Sequence, residues 1–320
     1  MKQFVAQPFF SPSSEALRYL PECPRMLHNC GDSPMVGWVG IQHGSDSKTG
    51  SLNILNLQTR ENTSHALPGR PGFYAESVDP GVLLVGVERR LIFYDINRRE
   101  VTETGVDIPA PERVIINDGT PVPNGVVFGS KDVNFKDEIA AIYFYNTQLG
   151  YLCVLREKQI CSNGKVLLSH GETSTLVDID SPRKNLVAYD ANLEGCALHD
   201  PRILADFQKY DGVPDGMKLT PDGKSVVVAF YNPNAAEFGV VRQVNLETGA
   251  VEAEWRLPGS PRVTCPEFVS LDGRVMLLLT TAIEGMPDEI RKQAPHAGDL
   301  YVGETDFTRL PPSPPLVSRF

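Results

Sequence analysis

Long apolar runs are missing from this chain of 320 residues: no stretch approaches the roughly 18 apolar residues that carry a helix across a bilayer. The N-terminal Met1-Lys2-Gln3-Phe4-Val5 has only short apolar stretches before Ser11-Pro12-Ser13-Ser14, unlike the charged-then-apolar layout of a secretory signal. A membrane partner is therefore not expected, and a cytoplasmic location is. Basic residues are also scarce, 30 Lys and Arg against 40 Asp and Glu, for a formal charge of −10. Such a surface is poorly suited to neutralising phosphate backbones, which disfavours nucleic acid as a partner. The six cysteines (Cys23, Cys30, Cys153, Cys161, Cys196, Cys265) contain no C-x-x-C pair, and no histidine pair has zinc-finger spacing, so a structural zinc site is not expected. Those thiols read as reduced, small buried hydrophobes. No Gly-x-Ser-x-Gly elbow occurs, which removes support for a Ser-His-Asp hydrolase. Helical periodicity is rare throughout.

Short β-branched and aromatic runs are plentiful. The clearest are Val82–Val85, Leu91–Tyr94, Val226–Tyr231 and Val275–Leu279, each bounded by turn residues. Asp79-Pro80-Gly81, Pro123-Asn124-Gly125, Pro221-Asp222-Gly223 and Asp272-Gly273 each precede an apolar strand and read as hairpins. A strand–turn–strand unit recurs six times, with markers Leu52, Leu91, Ile142, Leu176, Val241 and Leu300 spaced 39, 51, 34, 65 and 59 residues apart. The mean of about 50 residues is the size of a four-stranded propeller blade. The expected fold is all-β, a six-bladed β-propeller with four-stranded antiparallel blades in one domain over 1–320. A β-sandwich with long loops is the alternative that alternation alone leaves open. Residues 1–20 and 308–320 read as straps or flexible ends, because the tail Leu310-Pro311-Pro312-Ser313-Pro314-Pro315 lacks the donors a central strand needs. Gly285–Ala294 reads as a loop with one helical turn begun by Pro287.

In a propeller, chemistry gathers where the blades converge, so ligands are sought one per blade. Four stretches set an acid or amide beside Gly or Pro: Glu22-Cys23-Pro24, Asn117-Asp118-Gly119, Ser162-Asn163-Gly164 and Pro214-Asp215-Gly216. As chemistry, carboxylate and amide oxygens without thiolate or imidazole suit a hard divalent cation such as Ca²⁺, Mg²⁺ or Mn²⁺. As plain structure, Asn-Gly and Asp-Gly are hairpin turns. His28, His43, His65, His170, His199 and His296 fall at no recurrent spacing with another ligand and read as surface or hydrogen-bonded residues.

Pro214-Asp215-Gly216-Met217 followed by Pro221-Asp222-Gly223, Val228-Ala229-Phe230-Tyr231-Asn232 and Val244-Asn245-Leu246-Glu247-Thr248-Gly249 resembles the fifth-blade region of the senescence marker protein-30, gluconolactonase and luciferin-regenerating enzyme family. Asn117-Asp118-Gly119 with Phe128-Gly129-Ser130, Cys161-Ser162-Asn163-Gly164 before Ile179-Asp180-Ser181, Glu22-Cys23-Pro24, and the closing Gln293-Ala294-Pro295-His296-Ala297-Gly298 extend the likeness over residues 20–307. The resemblance implies one divalent cation (Ca²⁺, Mg²⁺, Mn²⁺ or Zn²⁺) held by Glu22, Asn163 and Asp215. It makes Asp215 the catalytic carboxylate and places Asn117 close to metal and substrate. The implied reaction is the opening of a lactone or related ester. The chain departs from the family at two places. Ile115 stands where the family's vertebrate lactonases carry an arginine that contacts sugar hydroxyls, and Lys131 replaces a methionine. Both join Asn117 as substrate-binding candidates: Ile115 points to a small-molecule substrate less polar than a sugar lactone, and Lys131 reads either as a new cationic contact or as a solvated loop lysine. The same Ile115 keeps a second reading open: a scaffold re-used for dehydration, cyclisation or a cycloaddition such as a hetero-Diels-Alder reaction on a hydrophobic intermediate of secondary metabolism. A non-catalytic interaction propeller would not need acid and amide at four such positions.

Overall fold

The computed structural model describes residues 1–30, 33–171 and 173–319. Two short strands come first, β1 (Lys2–Val5) and β2 (Gln7–Phe10), followed by the single turn α1 (Glu15–Arg18), whose first turn is capped by Ser14 Oγ accepting from Leu17 N–H. Six four-stranded antiparallel sheets then follow one another. The first holds β3 (Pro21–Leu27), β4 (Met35–Gly40), β5 (Ser51–Asn56) and β6 (Asn62–Ala66). The second holds β7 (Pro71–Glu76), β8 (Val82–Val87), β9 (Arg90–Asp95) and β10 (Glu100–Asp107). The third holds β11 (Val114–Val122), β12 (Gly125–Asp132), β13 (Ala140–Asn146) and β14 (Tyr151–Gln159). The fourth holds β15 (Ser162–His170), β16 (Thr173–Asp180), β17 (Asn185–Asn192) and β18 (Ala197–Asp206). The fifth holds β19 (Val213–Leu219), β20 (Ser225–Tyr231), β21 (Phe238–Asn245) and β22 (Val251–Pro258), with β1 added in parallel beside β22. The sixth holds β23 (Val263–Leu271), β24 (Arg274–Thr281) and β25 (Leu300–Glu304), completed by β2. The architecture is a six-bladed β-propeller, as expected. Among the described residues no helix is long and apolar enough to cross a membrane.

The hairpin readings hold. All four turn motifs join the first strand of a blade to its second. In the tightest, Asp272 (φ 50°) and Gly273 (φ 74°) are both left-handed, the geometry that matches strand twist in a two-residue hairpin. Five of the six repeat markers lie on the third strand of a blade, but Leu176 lies on β16, the second. That misplacement, rather than loop length, accounts for the short spacing before Leu176 and the long one after it.

Residues 1–20 are not flexible ends. β1 stacks Phe4 on Trp255 with centroids 5.0 Å apart, and β2 pairs along β25. Pro8 is tolerated there because β2 is an outer strand, where a missing donor faces away from the ladder. The C-terminal tail docks too: Val317 is buried, bridges Ser77, and exchanges hydrogen bonds with Glu76 O and Val78 N. The helical turn lies at α2 (Asp288–Gln293), with Pro287 at its cap.

The chain forms two compact units, one of β1–β6 and β19–β25, the other of β7–β18 with the tail from Ser313. The first unit packs Trp255, Phe268, Tyr301 and Ala6 in one cluster and Trp38, Phe9, Leu278 and Leu300 in another. In the second unit Phe73, Phe128 and Tyr143 stack in succession, and Val122, Ile142, Phe144 and Leu176 fill a further cluster. One expectation about the cysteines fails. Cys153 on β14 and Cys196 before β18 form a disulfide, while Cys23, Cys30, Cys161 and Cys265 take part in no disulfide among the described residues. Two cysteines 43 residues apart meet only because their blades are neighbours, and a cytoplasmic location inferred from six reduced thiols loses that support.

Candidate active site at the bulges of the inner strands

The first strand of every blade breaks register with its neighbour at one place. The breaks fall between Glu22 and Arg25 on β3, Pro71 and Phe73 on β7, Ile116 and Gly119 on β11, Asn163 and Lys165 on β15, Pro214 and Met217 on β19, and Val263 and Cys265 on β23. A bulge gives one strand an extra residue and re-aims the side chains around it. Glu22, Asn117, Asn163 and Asp215 all stand at these breaks. None of the four acid or amide stretches is a hairpin turn, so the plain-structure reading of them is corrected. The remaining two breaks carry Gly72, with no side chain, and Thr264, whose hydroxyl donates to Pro21 O at 2.6 Å.

In the first unit, β19, β23 and β3 lie side by side and bring Asp215, Thr264 and Glu22 onto adjacent strands. Gly216 is required for this approach, because a Cβ there would overlap the Cys265 side chain. Asp215 is buried at 7 % exposure and Glu22 is half-buried. The sequence reading missed a group beside Asp215. Tyr231, at the end of β20 and paired in register with Val213, donates its hydroxyl toward Glu284 O (3.1 Å) and Glu284 Oε2 (3.3 Å). Arg262 is buried, donates to the carbonyls of Glu284 and Pro233, and holds its guanidinium 5.5 Å from the Tyr231 ring. Burial and the Glu284 carboxylate, with Asp215 behind them, push the Tyr231 phenol well above its ordinary range against the pull of Arg262. The phenol is a hydrogen-bond donor throughout the neutral range. Its sequence signal was an aromatic closing an apolar strand, which periodicity reads as core.

In the second unit, β7, β11 and β15 are neighbours. Asn117 Nδ2 donates to Asn163 Oδ1 at 2.6 Å and to Ser162 O at 3.1 Å. Asn163 Nδ2 donates to Ser181 Oγ at 2.8 Å, which fixes the amide so that its oxygen faces Asn117. Beneath it lies a second missed group. Lys165 Nζ donates to Asn163 O at 2.9 Å and pairs with Asp178 Oδ1 at 3.2 Å, while Ser162 Oγ donates to the same carboxylate. Burial pushes the Asp178 carboxyl up to about 6, opposed by Lys165. Ile115 is fully buried on β11, and Lys131, opposite it on β12, is 8 % exposed. His296, the histidine on the closing loop, lies 3.1 Å from Asp299 Oδ2, and the other oxygen of that carboxylate, Oδ1, pairs with Arg18.

No group of three His, Cys, Asp or Glu side chains gathers among the described residues as a metal cluster. The donors of the expected set, two carboxylates and one amide, do not depend on such a group. In chemistry they are oxygen-only, which fits a hard cation.

Comparison with known proteins shows the fold and the family. L-arabinolactonase of Azospirillum brasilense is 28% identical over 248 residues, covering 76% of this chain and 77% of that one. Regucalcin of Danio rerio is 27% identical over 275 residues, 84% of this chain and 86% of that one. The solved structure of a calcium-binding protein, regucalcin, from Agrobacterium tumefaciens superposes with a TM-score of 0.78 at 19% identity, covering 98% of this chain and 99% of that one, which shows the shared fold. The family model described as the SMP-30/gluconolactonase/LRE-like region matches residues 20–283, and the chain, with its acids and amides at the inner-strand bulges, belongs to that family.

Proposed function

We propose that this protein hydrolyses a lactone or related ester less polar than a sugar lactone, using one divalent cation for which Glu22, Asn163 and Asp215 supply the oxygens. The observation that carries this reading is the placement of these residues, with Asn117, at the register breaks of inner strands, where side chains are aimed by backbone geometry. Relatives named for lactone hydrolysis and calcium binding support it. When bound, the cation polarises the ester carbonyl and lowers the pKa of a water.

The chain's own residues supply the rest. The Asp215 carboxylate takes the proton of the attacking water, whose oxygen adds to the ester carbon. The ring C–O bond then breaks, the alkoxide leaving group takes up a proton, and the product is a hydroxy acid. Asn117 and Ser181 hold the Asn163 amide in one orientation, so that its oxygen needs no reorganisation to act as a donor. The Tyr231 hydroxyl, tethered to Glu284 and protonated, stands by Asp215 as a neutral donor. Ile115 removes a polar partner for substrate hydroxyls, and a buried hydroxyl left unpaired costs about 1–3 kcal/mol.

The test is turnover of a lactone panel running from sugar to alkyl lactones, with elemental analysis of the purified protein and assays before and after exhaustive chelation. The reading expects one bound divalent cation per chain, activity lost on chelation and restored by the metal, and preference for the alkyl lactones. Ring-opening that survives complete chelation sinks it. Cyclisation or cycloaddition on the same scaffold draws on Ile115 alone, and product analysis with a reactive hydrophobic intermediate separates the two.

A further inference from the structure

Lys131 is a buried lysine for which no carboxylate partner is found among the described residues. It is the penultimate residue of β12, directly opposite Ile115 on β11, and directly opposed residues of antiparallel strands share one face. Its backbone also bridges Cys161, immediately before β15, the strand that carries Asn163, and Asn117 donates to Ser162 O next to that bridge. At 8 % exposure it is about as buried as Asn163 and Asp215.

The nearby carboxylates are engaged elsewhere. Asp132 accepts from the backbone N–H groups of Asn134, Lys136 and Asp137 and lies 3.5 Å from Arg113 Nε. Asp137 pairs with Arg113, and Glu138 pairs with Arg183. Among the described residues Lys131 has one partner for its charge, the ring of Phe135, whose centroid is 5.5 Å from Nζ. A ring face attracts a cation but accepts none of its three N–H donors in a normal hydrogen bond. Lys165, buried on the same unit, shows the ordinary arrangement, with Asp178 at 3.2 Å. Burying a charge without a counter-charge is costly, and a ligand that brings an anion offsets part of that cost. Phe135, which stands over Nζ, is itself 49% exposed.

We propose that Lys131 anchors a carboxylate on an otherwise apolar substrate, whose hydrocarbon part lies along Ile115. The inference deepens the hydrolase reading of the same site: the substrate class becomes amphipathic lactones or esters that carry one anionic group.

The experiment uses the full chain and a probe that cannot be hydrolysed. Octanoate and octanamide are titrated calorimetrically into the wild type and into Lys131→Met and Lys131→Arg, with thermal melts confirming that each variant folds. Loss of a charge-assisted hydrogen bond predicts octanoate binding weakened about tenfold or more in K131M and largely restored in K131R. Octanamide binding is expected to be the same in all three. Octanoate binding to K131M within about twofold of wild type overturns the proposal, as does a wild type that does not prefer octanoate over octanamide. A wild type that opens no lactone but binds octanoate through Lys131 removes the hydrolase reading and leaves the anion site standing.

Discussion

Asn117 and Asn163, 46 residues apart, meet side chain to side chain at 2.6 Å because each stands at the register break of its own inner strand. Gly72, at the break of the strand on the other side of Asn117, makes room for this pair, since a Cβ there would overlap the carbonyls of Ile116 and Asn117. Gly72→Ala is therefore expected to displace β11. Overpacking of this kind costs about 1–3 kcal/mol. Cation affinity should fall with it by about tenfold, the size of effect seen when groups supporting a ligand are disturbed. Denaturant melts and metal titration measure the two; an unchanged affinity in G72A would separate the Asn117–Asn163 contact from metal binding.

Asp215→Ala should remove turnover without unfolding the protein. General-base catalysis contributes about 10²–10⁴-fold, so a kcat reduced by that factor with an unchanged melting curve is the expected result. Asp215→Asn keeps the shape and one donor oxygen but cannot take a proton, and it should be nearly as slow. Wild-type kcat in either variant would remove Asp215 from the chemistry.

Reducing the Cys153–Cys196 bond should lower stability. The bond closes a loop of 43 residues, which in the chain-entropy model limits the effect to about 4 kcal/mol. Cys153→Ser and wild type in reductant should melt together and below the oxidised protein. Identical melts with and without reductant would show that the bond does not form in solution.

Acid should weaken the loop after β12 through Asp132. Burial raises that carboxyl's pKa, but three backbone N–H groups and Arg113 outweigh it, and the result lies below the ordinary aspartate value. A lowered native pKa means that the unfolded chain binds the proton first. The stabilisation is thus complete above about pH 4 and is lost as the pH falls through the native pKa. Asp132→Asn should cost about 2 kcal/mol at pH 7, with the gap to wild type closing in strong acid. A gap independent of pH would show that the charge is immaterial.

Blade hairpins were legible because their chemistry is local: Asp272-Gly273 needs only two left-handed residues in a row. The blade count was legible for the same reason, as six repeats of apolar alternation. The Leu176 marker went astray because alternation cannot tell the second strand of a blade from the third. Bulges escaped reading altogether, since register is a relation between two strands and Asn-Asp-Gly spells a turn as readily as a break. Lys165 and Lys131 look alike in sequence, each a lysine near the end of a short motif. Only their surroundings, Asp178 for one and the ring of Phe135 for the other, give them different chemistry.

The amino-acid sequence by itself determined the all-β class, the number of blades, the family and the identities of the acids and amides, because those follow from residue type and spacing along one chain. Tertiary structure decided the rest: the bulges that aim Glu22, Asn117, Asn163 and Asp215, the docking of the N-terminal strands onto the fifth and sixth blades, the Cys153–Cys196 bond, and the setting of Lys131 against an aromatic ring rather than a carboxylate. The physical reason is that register, cross-linking and charge compensation depend on pairs of groups distant in sequence. Which pairs meet is settled only when neighbouring strands pack.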